Sequence, residues 1–125
     1  MGSIKAITDK DKNLTIITAT GRLTAADFMQ WVQAYYAGEV TQFILWDLTK
    51  ANLSEITHDE VEAHAKFFNR LAGARKGGRS AFVFDSSLEY GLGRMYQILS
   101  EIENVPIDFQ TFRSIQEAQE WLGVP

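Results

Sequence analysis

The sequence predicts an α/β domain in the order β-β-α-β-α-β-α-β-α: a mixed five-stranded sheet with an N-terminal antiparallel hairpin and parallel central strands. Three observations predict it. Four hydroxyl residues each stand three positions ahead of an acid and open a stretch of apolar residues at helical spacing. Two short runs, Phe43-Ile44-Leu45-Trp46 and Ala81-Phe82-Val83-Phe84, are continuously apolar, as strands covered on both faces are. Near the start, two β-type segments flank the polar turn Asp9-Lys10-Asp11-Lys12-Asn13.

The elements follow in order. Ile4 to Thr8 and Leu14 to Thr20 form the hairpin across that turn. Thr24 with Asp27 caps a first helix carrying Phe28, Trp31, Val32, Tyr35 and Tyr36. In such a box the hydroxyl accepts a free backbone N–H of the first turn and the acid reaches back to the cap. The run at Phe43 is the third strand, and Thr57 with Glu60 caps a second helix bearing Val61, Ala65, Phe68 and Leu71. The run at Ala81 is the fourth strand, followed by Ser86 with Glu89 and a helix bearing Leu92, Met95, Tyr96, Leu99 and Ile102. Ile107 to Phe112 alternates and reads as a strand nearer an edge. Ser114 with Glu117 caps a short last helix with Ile115, Ala118, Trp121 and Leu122. Gly38, Gly73, Asn104 with Pro106, and Gly123 supply the stop signals. Strand–helix–strand crossovers are right-handed, so the last three strands run parallel.

The 125 residues, 46% of them hydrophobic, make one domain over 1–125, able to bury roughly two-thirds of its unfolded surface. Twelve basic against sixteen acidic residues give −4, which argues against nucleic acid as a partner because phosphate binding needs clustered positive charge. The absence of cysteine excludes disulfides, thiol catalysis and thiolate metal sites. No apolar run reaches the length of a membrane span.

Candidate chemistry gathers at the ends of the two apolar strands. Asp47 closes one and Asp85 the other, each before a loop leading to a capped helix. Ligands of open α/β sheets bind at carboxyl ends of strands and at helix N-termini. Thr49, Thr57, Ser86, Ser87 and Arg94 would surround such a crevice. Capping and loop-amide bonds alone account for the same residue types, and that reading is preferred. Gly91-Leu92-Gly93 lacks the third glycine of a dinucleotide loop, since position 96 is Tyr96. His58 and His64 stand six apart, off the i,i+4 spacing of a helical metal pair, and no metal site or cofactor is expected. Arg70, Arg75, Lys76 and Arg79 form the one basic cluster; it reads as an anion or acidic-partner surface, or as a solvated turn. No nucleophile elbow or acid–base pair stands out, so no catalysis is expected. Trp31, Tyr35 and Tyr36 crowd one helix over more than one face, which predicts a homodimer.

The chain resembles the STAS domain, specifically its SpoIIAA-like group. Phe43-Ile44-Leu45-Trp46-Asp47-Leu48-Thr49 looks like the family's central strand ending in Asp-Leu-Ser/Thr. Tyr90-Gly91-Leu92-Gly93-Arg94-Met95-Tyr96, with Phe112-Arg113-Ser114 and Glu117-Ala118-Gln119-Glu120-Trp121-Leu122, is similar to small bacterial SpoIIAA-like proteins. Anti-anti-sigma members carry Asp-Ser-Ser-Gly at the start of the second helix, where a partner kinase phosphorylates a serine. The matching place reads Glu55-Ile56-Thr57-His58: only Thr57 keeps a hydroxyl, and the glycine is absent. This departure disfavours Thr57 as a phosphosite. The resemblance implies a non-enzymatic regulatory or protein-interaction module, bacterial and cytoplasmic, with an unidentified protein partner. The alternative that the resemblance implies is a small-molecule binding domain that takes a lipid- or nucleotide-type anion in the crevice at the carboxyl ends of the central strands.

Overall fold

Residues 2–124 are described by a computed structural model. In chain order they form β1 (Ser3–Asp9), β2 (Leu14–Arg22), α1 (Ala25–Tyr36), β3 (Phe43–Asn52), α2 (His58–Asn69), a 3₁₀ turn (Ala72–Arg75), β4 (Arg79–Val83), α3 (Ser87–Ile102), β5 (Asp108–Phe112) and α4 (Ile115–Leu122). All four predicted caps are in place. Thr24 and Thr57 accept from the N–H of Asp27 and Glu60, and both acids return to the cap backbone. Ser86 and Ser114 accept from Glu89 and Glu117, but their hydroxyls also bond the acids directly, so these two boxes lack the return bond.

The sheet order is β1-β2-β3-β4-β5, with β1 antiparallel to β2 and every other pair parallel. Asn13 closes the hairpin turn at φ 54°, and its side-chain oxygen accepts the Gln42 N–H. Each crossover moves one strand further in the same direction, so crossovers of one hand put α1, α2 and α3 on one face. There Ile17, Ile44, Trp46 and Phe109 of the strands, with Phe84 just past β4, meet Val32, Phe68 and Leu53. On the other face Leu45, Ala81 and Val83 pack against Ala118 and Leu122 of α4. β3 and β4 are thus covered on both sides, as their unbroken apolar runs require.

Two boundaries and the setting of one helix face differ from the sequence reading. β3 does not end at Asp47: after a bulge between Thr18 and Thr20, Lys50 to Asn52 pair with Thr20 to Arg22 of β2. The second helix stops at Asn69, before Gly73, which lies inside the 3₁₀ turn. The aromatic residues of α1 face inward: Trp31 packs edge-on against Trp46 (5.5 Å) and Tyr36 against Phe68 (5.3 Å), so their crowding is satisfied within one chain. Among the described residues, no helix is long and apolar enough to cross a membrane.

Gly93 sets how closely α3 approaches the sheet. A Cβ there would collide with the Phe84 ring and come within 2.9 Å of Thr111 Cγ2. Gly91 faces open space, so of the glycine pair only Gly93 is needed for packing.

Candidate functional site

The predicted crevice residues are divided between the two faces. Asp47 and Thr49 lie within β3 and, by strand alternation, on the side of Leu45 and α4. They are used on each other: Asp47 Oδ1 accepts from the Thr49 N–H (3.1 Å) and hydroxyl (2.7 Å). Thr57 and Ser86 cap helices that cover the opposite face. Ser87 accepts from Arg113 Nη2 (3.2 Å), whose guanidinium lies 4.7 Å over the Tyr90 ring. Asp85 and Arg94 are exposed. Only Ser86 and Ser87 of this set line the recess between residues 51–58 and the start of α3.

The basic cluster is not a solvated turn throughout. Arg75 is fully buried, and each of its five N–H groups has an acceptor. Nε donates to Thr41 O, Nη1 to Tyr36 Oη and Ser80 Oγ, and Nη2 to Gln42 O and Arg79 O. The cation is held by carbonyl and hydroxyl dipoles, which is how a buried guanidinium persists without a carboxylate. It ties the segment before β3 to the start of β4. The next turn is equally constrained, because a Cβ on Gly78 would meet the carbonyls of Gln42 and Arg75. Arg79 turns to the other face, stacks 5.4 Å over Trp121 and donates to its carbonyl at the end of α4. Arg70 and Lys76 remain exposed.

Between α1, α2, α3 and the sheet lies an apolar cavity of about 130 Å³. Its wall includes Phe28, Trp31, Val32, Trp46, Val61 and Phe82. Glu60, itself exposed, also lines it, so the cavity reaches the surface beside the first turn of α2. Gly93 and Phe84 line the same cavity, so the close approach of α3 forms one of its sides. A dry apolar cavity of roughly 150 Å³ accommodates benzene, so this space has the size of a small ring.

One polar pair interrupts the wall. His64 of α2 meets Tyr96 of α3, with Nδ1 and Oη 2.9 Å apart. Burial lowers the His64 pKa from 6.5 to about 4 and raises that of Tyr96, so both side chains are neutral at pH 7. His64 Nε2 is buried and has no partner among the described residues. The tautomer follows from counting donors. With Tyr96 O–H donating to Nδ1, the Nε2–H is the single orphan. The other tautomer would orphan both the Tyr96 proton and the Nε2 lone pair, at a further cost of about 1–3 kcal/mol. The structure therefore assigns a proton to Nε2. Sequence spacing excluded a metal pair at His58 and His64 but missed this role. The available signal was that His64 shares the face of Val61, Ala65 and Phe68 on one helix.

No family model matches the sequence, and no curated protein matches it. Among solved structures it is similar to an uncharacterised protein of the DUF3478 family with a SpoIIAA-like fold from Shewanella loihica PV-4, at 20% identity and a TM-score of 0.60, over 97% of this chain and 93% of that one. The chain has a SpoIIAA-like fold.

Proposed function

We propose that this chain is a non-catalytic binding module whose interior cavity takes a small apolar molecule. The observation that carries the reading is the apolar cavity of about 130 Å³ between the three helices and the sheet. It lies on the α1–α3 side of β3, not at the crevice that the sequence suggested around Asp47 and Asp85. Apolar pockets with few polar groups are the usual small-molecule sites. The thermal shift with toluene tests it: ligand at 100 times its dissociation constant adds about 2.7 kcal/mol of stability. Val61→Phe, which fills the cavity from α2, should raise the melting temperature and remove the toluene response. No toluene response in the wild type would overturn the reading.

A regulatory protein-interaction module is the second reading. It is supported by Ile98 and Ile102, neighbours one turn apart on α3 that are 48% and 65% exposed, and by Leu88 at 79%. A second copy of the chain is one occupant of that stripe. Sedimentation checks this, since a homodimer should exceed the 14.1 kDa of one chain and Ile98→Glu should restore the single mass.

A further inference from the structure

We infer that the outer face of α3 pairs with the same face of a second copy of this chain, the two helices running antiparallel about a two-fold axis. This rests on the interaction reading above and specifies the partner and its geometry. The side chains of α3 are distributed the wrong way round for a helix that ends at solvent. Its buried residues are Gly93, Gln97 and Ser100, small or polar, whereas Leu88, Ile98 and Ile102 are 79%, 48% and 65% exposed. Leu88, Gly91, Met95, Ile98 and Ile102 follow one another at intervals of three, four, three and four, the spacing of a helix-pairing seam. Gly93 and Ser100 stand opposite that seam, on the sheet side, so the seam faces away from the domain.

The face is complementary to itself. At one end Gly91 opens on empty space, walled by Leu88, Leu92 and Met95 in the recess beside residues 51–58. At the other end Ile98 and Ile102 project. Antiparallel pairing seats Ile102 of each copy over Gly91 of the other and sets Met95 against Ile98. Two-fold symmetry makes this fit twice, about 16 Å apart along the seam. The same register brings the exposed Arg94 of one copy beside the exposed Glu101 of the other, again twice. Among the described residues neither has an ion-pair partner within its own chain. Glu101 also lies in the last turn of α3, where the helix dipole disfavours an acid and an arginine from the second copy offsets it. A parallel pairing would instead set Arg94 against Leu99, with no counter-charge.

The contact runs along one helix of 16 residues, so the dimer is weak and is sought by sedimentation equilibrium of the full chain at hundreds of micromolar and low ionic strength. Wild type should exceed the 14.1 kDa of one chain. Arg94→Glu and Glu101→Arg should each weaken the dimer by about tenfold, since each sets two like-charge pairs across the axis, and the double variant should return to within about twofold of wild type. Both positions are exposed, and rescue by the double variant excludes misfolding as the cause. If wild type dimerises and Ile98→Glu breaks the dimer but the charge swaps have no effect, the antiparallel register fails while the stripe stands as an interface. If Ile98→Glu leaves the dimer intact, another face carries it and both readings fail. A wild type that stays at 14.1 kDa overturns the proposal, and cosedimentation with phosphatidylglycerol vesicles would then give the face to a lipid surface.

Discussion

Acidification should destabilise this protein through His64 specifically. The unfolded imidazole binds its proton near pH 6.5, and the folded one only near pH 4, because burial penalises the cation. Between those values the unfolded state holds more protons, so stability falls as the pH drops through this window. At about 1.4 kcal/mol per unit, the lowering from 6.5 to about 4 amounts to about 3 kcal/mol in full. Roughly 2 kcal/mol of that is lost between pH 7 and pH 4.5. Urea unfolding of wild type and His64→Phe at both pH values isolates the effect, since the carboxylates titrate in both proteins. The wild-type midpoint should fall about 1 M further than that of the variant, given a typical urea slope for a small domain. The packing behind this is specific: Nε2 is buried without a partner among the described residues, and Nδ1 faces only the neutral Tyr96 hydroxyl, so nothing of opposite charge offsets the desolvation of an imidazolium. Parallel pH profiles for the two proteins would refute the buried, neutral assignment.

Other substitutions read other parts of the structure. Arg75→Lys should cost about 3–5 kcal/mol in chemical denaturation, because an ammonium has three donors for five acceptors in a fork geometry. Gly93→Ala should destabilise by about 1–3 kcal/mol through overpacking against Phe84 and Thr111. Gly91→Ala, two residues away and facing open space, should stabilise by about 0.5–1 kcal/mol; thermal melts of the pair check both signs. Thr57→Ala should lose about 1 kcal/mol of capping while Thr57→Asp stays near neutral, measured by thermal melts. A large loss from the aspartate would contradict the role of Thr57 as a cap.

What was legible in the sequence was local. Each cap joins residues three apart, so Thr24, Thr57, Ser86 and Ser114 announced four helix starts without reference to the rest of the chain. The apolar runs of β3 and β4 likewise encode cover on both faces. The candidate site was less legible because it depends on pairings far apart in the chain. The extension of β3 past Asp47 is set by β2 across a bulge, which moved Asp47 and Thr49 from a strand end into the sheet. Arg75 looked solvated beside Gly73, Gly77 and Gly78, yet its acceptors come from residues 36, 41 and 42 as well as 79 and 80. The aromatic residues of α1 were visible, but only the fold shows that they pack against Trp46 and Phe68 and line a cavity. The spacing of His64 from His58 carries no hint of its partner, Tyr96, which stands on another helix.

Methyl ¹H–¹³C spectra during a toluene titration test cavity binding most directly. The interior-cavity reading requires saturable shifts at Ile17, Val32, Ile44, Leu48, Val61 and Leu92, which line the cavity. It also requires silence at Leu14, Leu45, Val83 and Leu122, which pack on the opposite face of the sheet. No saturable shift in the first set, or a response concentrated at Leu88, Ile98 and Ile102 on the surface of α3, would contradict it.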